Sequence, residues 1–354
     1  MDFREHILYQ EDLLYLAALE LPWEKLSGSS VMISGATGMI GTVLIDALMA
    51  KNQQEGLACH VYALGRSEEK ARGRFGPYFD DPDFTFLTCD INQPIALTEP
   101  AQIGYIIHLA SNTHPVAYAN DPIGTVTANV FGTHYLLDYA CEHGAKRVAI
   151  ASSNEIYGEN RGDTDLFSED YCGYIDCNTL RAGYPESKRC AEALCQAYIR
   201  QKGIDVVIPR LTRSYGPTLL SSDTKALSQF LHKALAGEDI VLKSAGAQYF
   251  SYTYVADAVA GLLFVLLKGE KGEAYNIADA AGDIRLKDLA GLVAGAVGKE
   301  VVFDIPDETE AAGYSKATRS RLDGSKLKKL GWQMNYDMES GIERTIRILK
   351  GADN

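Results

Sequence analysis

Three side chains in this sequence stand at spacings that could move a proton on and off an alcohol. Tyr184 and Lys188 are four apart in Tyr184-Pro185-Glu186-Ser187-Lys188, so on a helix they share one face. A nearby ammonium favours the phenolate and lowers the tyrosine pKa. That suits the ring to take a proton from an alcohol near neutral pH. As a bare pattern the pair is common and usually a solvated one, so its context matters. Ser152-Ser153 ends a β-rich run upstream. Ser153 could hydrogen-bond the same alcohol oxygen, and the other serine then only caps the strand end.

A second constellation suits a dinucleotide. Gly35-Ala36-Thr37-Gly38-Met39-Ile40-Gly41 follows a β-rich run and opens a helical one. Glycine lets backbone approach a pyrophosphate closely, and a helix N-terminus offers free N–H groups and a positive dipole end. The plainer reading is a tight turn with close helix–sheet packing. The next strand should end at the adenosine ribose, where an acid binds the 2′-hydroxyl of NAD and an Arg accommodates the 2′-phosphate of NADP. The chain has Leu64-Gly65-Arg66-Ser67 there, so Arg66 leans towards NADP, although an Arg can also stack on adenine. Asp90, after a third strand, is placed to accept from the adenine amino group or to cap the following segment.

These residues need elements to position them, and strands and helices alternate along the chain. Helical periodicity runs over Glu11–Leu19 and Pro22 ends it. Strands are expected at Val31–Ser34, His60–Leu64, Phe84–Leu87, Tyr105–Leu109, Arg147–Ser152 and Asp205–Pro209. Helices are expected at Met39–Ala50, Gly124–Glu142 and Tyr184–Gln201. Such alternation predicts an α/β fold, a doubly wound parallel sheet with helices on both faces. The expected organisation is an N-terminal helical extension over 1–27, a Rossmann-type domain over 28–217 with a later contribution near 250–267, and a small mixed lobe over 218–354. The loop 158–180 carries Asp163, Asp165, Glu169, Asp170 and Asp176, too acidic for phosphate. A solvated loop or a lid is expected there.

Composition narrows the partners. The chain has 354 residues with 34 Lys+Arg against 47 Asp+Glu, a formal charge of −13. That balance argues against a nucleic-acid backbone as partner, which needs a basic face. With 46% hydrophobic and 23% charged residues the chain is globular, not disordered. The longest apolar run, Ala258–Leu267, falls well short of the about twenty residues that cross a bilayer. No membrane span and no secretory leader are expected. Seven cysteines without a Cys-x-x-Cys pair suggest reduced thiols in the cytoplasm and no metal site.

With the glycine turn, Ser153, Tyr184 and Lys188 in hand, the chain resembles the extended short-chain dehydrogenase/reductases, the family of nucleotide-sugar epimerases, dehydratases and decarboxylases. Further matching pieces are His108-Leu109-Ala110, Asn129 with Gly132-Thr133, Ser153 to Gly158, Arg210 with Tyr215-Gly216-Pro217, Tyr254-Val255-Ala256-Asp257 and Lys329-Leu330-Gly331-Trp332. The resemblance implies a tightly held NAD(P)+, a nucleotide-activated sugar as substrate and often a homodimer. It implies a cofactor lining of Gly35, Thr37, Gly38, Met39, Ile40, Gly41, Arg66, Asp90, Ile91, Leu109, Ala110, Ser111, Asn129, Tyr184 and Lys188. It also implies Ser153, Glu155, Tyr184 and Lys188 as catalytic residues.

Within that family, Ser153-Asn154-Glu155 resembles the Thr-Asp-Glu of 4,6-dehydratases and the Thr-Ser-Glu of UDP-glucuronate decarboxylases. The stretch Arg181 to Arg189 is closest to the decarboxylases. Oxidation at the sugar C4 makes the C5 substituent labile, and a carboxylate at Glu155 can then manage a proton at C5 or position a C5 carboxyl for loss of carbon dioxide. The plainer reading of Glu155 is a surface acid. Two departures stand out. Asn154 replaces the usual dehydratase aspartate, and an amide is no general acid. Phe250 stands where the family has an Arg that grips the diphosphate. Arg213, Arg319 and Arg321 could replace that charge, and Asn154 and Arg181 are further substrate-binding candidates. The expected activity is decarboxylase- or dehydratase-like with an internal redox cycle. The alternatives are 4-epimerisation, NADPH-dependent keto-sugar reduction and a non-catalytic nucleotide-binding role.

Overall fold

A computed structural model describes residues 2–97, 100, 102–113, 119–305 and 319–352. Residues 306–318 and 353–354 of the expected C-terminal lobe, and Met1 of the expected extension, lie outside the described residues.

The main sheet is parallel. Its strands are β1 (Ser30–Ser34), β2 (His60–Gly65), β3 (Phe84–Thr88), β4 (Tyr105–His108), β5 (Arg147–Ile150), the short β6 (Ser152–Ser153), β7 (Val206–Leu211) and, later in the chain, Ala274–Ile277. In space they run β3-β2-β1-β4-β5-β7 and then Ala274–Ile277 at the far edge, with β6 also pairing β7. The order reverses between β1 and β4. That is the switch point of a doubly wound sheet, and ligands bind beyond the carboxyl ends of the strands there.

Alternation along each strand buries both faces. Val31 and Ile33 of β1 join one hydrophobic cluster and Met32 joins the other. The first cluster is covered by helices α1 (Ile7–Ala17) and α2 (Met39–Glu55), with α3 (Glu68–Phe75) at the β3 side; the second is covered by α4 (Pro122–Glu142) and α5 (Gly183–Lys202). Gly56, at φ 66°, ends α2 in the left-handed conformation glycine favours.

The rest of the chain forms the smaller lobe and its anchors. These are β8 (Arg213–Tyr215), α6 (Ala226–Leu235), β9 (Ile240–Leu242), β10 (Tyr249–Tyr254), α7 (Val255–Lys268), β11 (the strand Ala274–Ile277), β12 (Asp283–Arg285), α8 (Leu286–Gly295), β13 (Val301–Phe303), β14 (Arg319–Ser320), α9 (Ser325–Lys328) and α10 (Met338–Ala352). A small sheet orders β12-β10-β14, with β8 also on β10.

Three expectations are refined. The segment near 250–267 supplies α7, which packs into the core cluster of the main sheet, and the chain then adds β11 beside β7. The N-terminal piece is built into the core: Tyr9, Leu13 and Leu16 are buried, and Tyr9 and Arg4 both bond the buried carboxylate of Asp46. The 158–180 segment is not merely solvated. Phe167 is fully buried, stacked between Tyr157 and Tyr171, and bridges to Leu322.

Candidate active site

The glycine turn leaves β1 at the switch point. Gly35 has φ 70°, and a Cβ there would stand 2.7 Å from the Ala110 nitrogen and 2.8 Å from the Leu109 carbonyl carbon. A Cβ at Gly41 would stand 2.5 Å from the Gly35 oxygen. Only bare backbone lets the turn, the first turn of α2 and the 109–110 segment come together. Gly38 caps α2 without a side-chain hydrogen bond, so the N–H groups around Met39 and Ile40 lack a side-chain cap. Thr37 lies half-buried in the same turn. This donor set fits a dinucleotide pyrophosphate.

The flanking residues divide. Arg66 is exposed at the end of β2. Asp90 is exposed too, and its Oδ1 accepts from both the backbone N and the side-chain Nδ2 of Asn92 at 3.0 Å, a local turn rather than a helix cap. Ile91 packs under α4, where a Cβ on Gly132 would meet it at 2.9 Å. Asn129 is buried and its amide bridges two neighbours. Ser111 Oγ donates to its Oδ1 at 2.8 Å, and its Nδ2 donates to Ser187 Oγ at 2.9 Å. Ser187 in turn donates to the Tyr184 carbonyl at 2.8 Å. One hydrogen-bonded chain therefore ties the segment after β4 to the helix that carries the tyrosine.

Tyr184 and Lys188 lie on the first turns of α5, both buried. Ser153, at the end of β6, hydrogen-bonds the tyrosine, and its Oγ accepts from the Glu155 backbone N at 3.2 Å. The expected electrostatics are not found. Tyr184 is pushed up, not down: burial disfavours the phenolate, the Glu155 carboxylate adds to that, and the Ser153 hydrogen bond and Arg181 charge oppose it only partly. Lys188 instead donates to the Ala151 carbonyl at 2.9 Å, and burial lowers its pKa to about 8. The nearby His108 shares a 2.6 Å bond between Nδ1 and Ser34 Oγ and is pushed down to about 3, so it is neutral.

Beside the tyrosine, Arg181 donates to Glu155 Oε2 at 2.6 Å. Two residues expected to act on the substrate thus meet each other, Arg181 half exposed and Glu155 less so. Asn154 is buried and donates to Ser320 Oγ at 3.3 Å.

The three candidate arginines are split by the small sheet. Paired residues on neighbouring strands share a face. Phe250 is in register with Ile284 and Ser320, and Arg213 stacks on the Phe250 ring at 3.7 Å. This is the face that reaches Asn154. Tyr249 is in register with Arg285 and Arg319 on the opposite face, and Arg321 lies over the Tyr249 ring at 4.6 Å. Sequence reasoning did not single out Arg285, Lys287 or Tyr249. The alternation Asp283-Ile284-Arg285-Leu286-Lys287 was the available signal.

Among the described residues no group of three or more His, Cys, Asp or Glu could hold a metal ion, and no helix is long and apolar enough to cross a membrane.

Residues 31–278 match the family described as the NAD dependent epimerase/dehydratase family. The chain is 29% identical over 330 residues to UDP-glucuronic acid decarboxylase 6 of Arabidopsis thaliana, covering 92% of this chain and 91% of that one. It is 30% identical over 313 residues to UDP-glucuronic acid decarboxylase 3 of the same plant, covering 88% and 86%. Among solved structures, dTDP-glucose 4,6-dehydratase from Streptomyces venezuelae, crystallised with NAD, superposes with a TM-score of 0.77 at 26% identity over 90% of this chain and 96% of that one. UDP-glucuronic acid 4-epimerase from Bacillus cereus shares the fold, with a TM-score of 0.74 at 22% identity over 91% of this chain and 99% of that one. The glycine cradle, the tyrosine–lysine helix and these matches agree: the chain belongs to the NAD-dependent epimerase/dehydratase family, enzymes that decarboxylate, dehydrate or epimerise nucleotide sugars.

Proposed function

We propose that this enzyme decarboxylates a nucleotide-activated uronic acid through transient oxidation at C4. The observation that carries the reading is the Arg181–Glu155 ion pair at 2.6 Å beside the buried Tyr184 and Ser153. A uronic acid brings its own C5 carboxylate, and a guanidinium is the side chain whose paired N–H groups match it. Arg181 turns from Glu155 to that carboxylate when substrate enters.

Tyr184 takes the proton of the 4-hydroxyl as its phenolate, the form that the Ser153 hydrogen bond and the Arg181 charge favour against burial and Glu155, with Ser153 bonded to the same oxygen. A nicotinamide dinucleotide held at the Gly35–Gly41 turn would supply reversible hydride acceptance at C4. The C4 ketone receives the electron pair of the bond from C5 to the carboxyl carbon as carbon dioxide leaves. Glu155 manages the proton delivered to C5, and the tyrosine returns its proton to the C4 oxygen. No reductant is consumed. Asn154, an amide tied to Ser320, offers no acid for losing water across C5 and C6, which sets 4,6-dehydration second.

Gly35, Thr37, Gly38, Met39, Ile40 and Gly41 would hold the dinucleotide's phosphates, and Leu109, Ala110, Ser111, Asp90 and Ile91 would line the rest of it. Arg213, carried on the Phe250 ring, supplies the diphosphate charge on the cleft face. The exposed Arg66 favours the 2′-phosphate of NADP: Arg66→Ala is expected to weaken NADP at least tenfold while NAD changes less than threefold, measured by dinucleotide titration. Equal losses remove the phosphate contact.

The free thiols fit a reducing cytoplasm. The exposed apolar residues Ile123, Val126 and Phe131 on α4 fit a homodimer interface. The activity is tested by incubating the purified enzyme with a nucleotide-activated uronic acid and following the sugar by NMR. Carbon dioxide with a nucleotide pentose supports the reading. Recovery of the 4-epimer with its carboxyl intact overturns decarboxylation.

A further inference from the structure

The far face of the small sheet carries a cleft of about 510 Å³ lined by Ala245, Ala247, Tyr249, Arg285, Lys287, Arg319 and Arg321. Four of the seven side chains are cationic and none is acidic, in a chain of net charge −13. Register explains the convergence: Tyr249 pairs Arg285 on one side and Arg319 on the other, so all three leave the sheet together. The ring holds two of the guanidinium groups, Arg321 at 4.6 Å and Arg285 at 5.6 Å from its centroid.

Like charges held this close repel unless an anion sits among them. Among the described residues only Arg321 has an acidic partner, Asp283 at 3.7 Å, and its buried Nε has no hydrogen-bond acceptor. Arg285, Lys287 and Arg319 have no carboxylate partner among the described residues, and all three are exposed to an incoming ligand. Three guanidinium forks and an ammonium around a small-residue floor suit phosphate oxygens better than a single carboxylate.

We propose that this cleft binds a phosphate-bearing anion at a site separate from that of Tyr184, Ser153 and Glu155. The separation follows from the sheet. Ser320 and Phe250 point to the face that meets Asn154, and Tyr249, Arg285 and Arg319 point away from it. The anion is either the diphosphate of the sugar nucleotide reaching round the sheet edge or a second, free phosphorylated molecule.

Calorimetric titration of the full-length protein with inorganic pyrophosphate tests the site without any turnover, so its failure is distinct from failure of the proposed reaction. The double variant Arg285→Ala/Lys287→Ala changes only exposed side chains, and its folding is checked by circular dichroism. It is expected to bind pyrophosphate at least tenfold more weakly, or with one site fewer, than the unaltered protein. That difference is expected to persist when Arg213→Ala is introduced into both. Unaltered binding in the double variant, or a difference that disappears with Arg213→Ala, overturns the proposal. The source is read from kinetics of the same variant. A KM for the nucleotide sugar raised at least fivefold with kcat unchanged supports the site with the substrate's own diphosphate as ligand. An unchanged KM, alongside lost pyrophosphate binding, supports it with a separate phosphorylated molecule.

Discussion

At the scale of single residues, the tyrosine–lysine pair, the glycine turn and Ser153 were legible because their chemistry depends on type and spacing. The pKa of Tyr184 was not. Sequence places an ammonium one helical turn away, but only the fold shows that burial and the Glu155 carboxylate outweigh the Ser153 hydrogen bond and the Arg181 charge, and that Lys188 donates to the Ala151 carbonyl. A sign-specific consequence follows. Removing the Glu155 charge lowers the phenol pKa, so phenolate becomes available at lower pH. With Glu155→Gln, the rising limb of C4 oxidation, read as single-turnover reduction of the cofactor, is expected to shift to lower pH. Reduced cofactor is expected to accumulate because the C5 step is blocked. A limb that stays in place or moves up, or normal product formation, makes Glu155 a bystander.

At the scale of elements, long periodic segments were placed within a few residues, while short strands and side-chain pins were missed. A four-residue strand such as Ala274–Ile277 becomes readable as part of the main sheet only when β7 is there to pair it. The pinning of Phe167 depends on rings brought from distant positions. One junction holds three elements. Asp257, at the start of α7, accepts from Tyr15 Oη of α1 at 3.0 Å and from the backbone N of Asn335 and Tyr336 at 2.9 Å each. Asp257→Ala leaves three donors short of their acceptor and is expected to cost about 3 kcal/mol in urea unfolding. A cost below about 0.5 kcal/mol would show the junction to be incidental. Burial raises the Asp257 pKa to about 7. The folded state therefore keeps this proton to higher pH than the unfolded chain does. Its contribution is fully present below the ordinary carboxylate pKa and is lost as pH rises through about 7. The stability gap between the native protein and Asp257→Ala is therefore expected to be wider at pH 5 than at pH 8.

At the scale of the whole molecule, the sheet order explains why the parts meet. The reversal between β1 and β4 brings Gly35 against Ala110, and the parallel pairing of β5 and β6 with β7 presents Ser153 to the start of α5. Fold class followed from alternation alone. How the small sheet divides Arg213 from Arg319 and Arg321 did not, because register between strands far apart in sequence is set by tertiary pairing. Assembly belongs to this scale too. Ile123 is 77% exposed and Phe131 48% exposed on α4. Ile123→Asp/Phe131→Asp is expected to reduce the proposed homodimer to a monomer by light scattering, and an unchanged mass would remove α4 as the interface. The measurement that bears most directly on the account is turnover of Tyr184→Phe with a nucleotide-activated uronic acid, with cofactor content and folding verified. The account predicts a fall in kcat of at least a hundredfold with dinucleotide still bound. Turnover within about threefold of the native enzyme would contradict it, since no other group beside Ser153 would then be needed to take the proton.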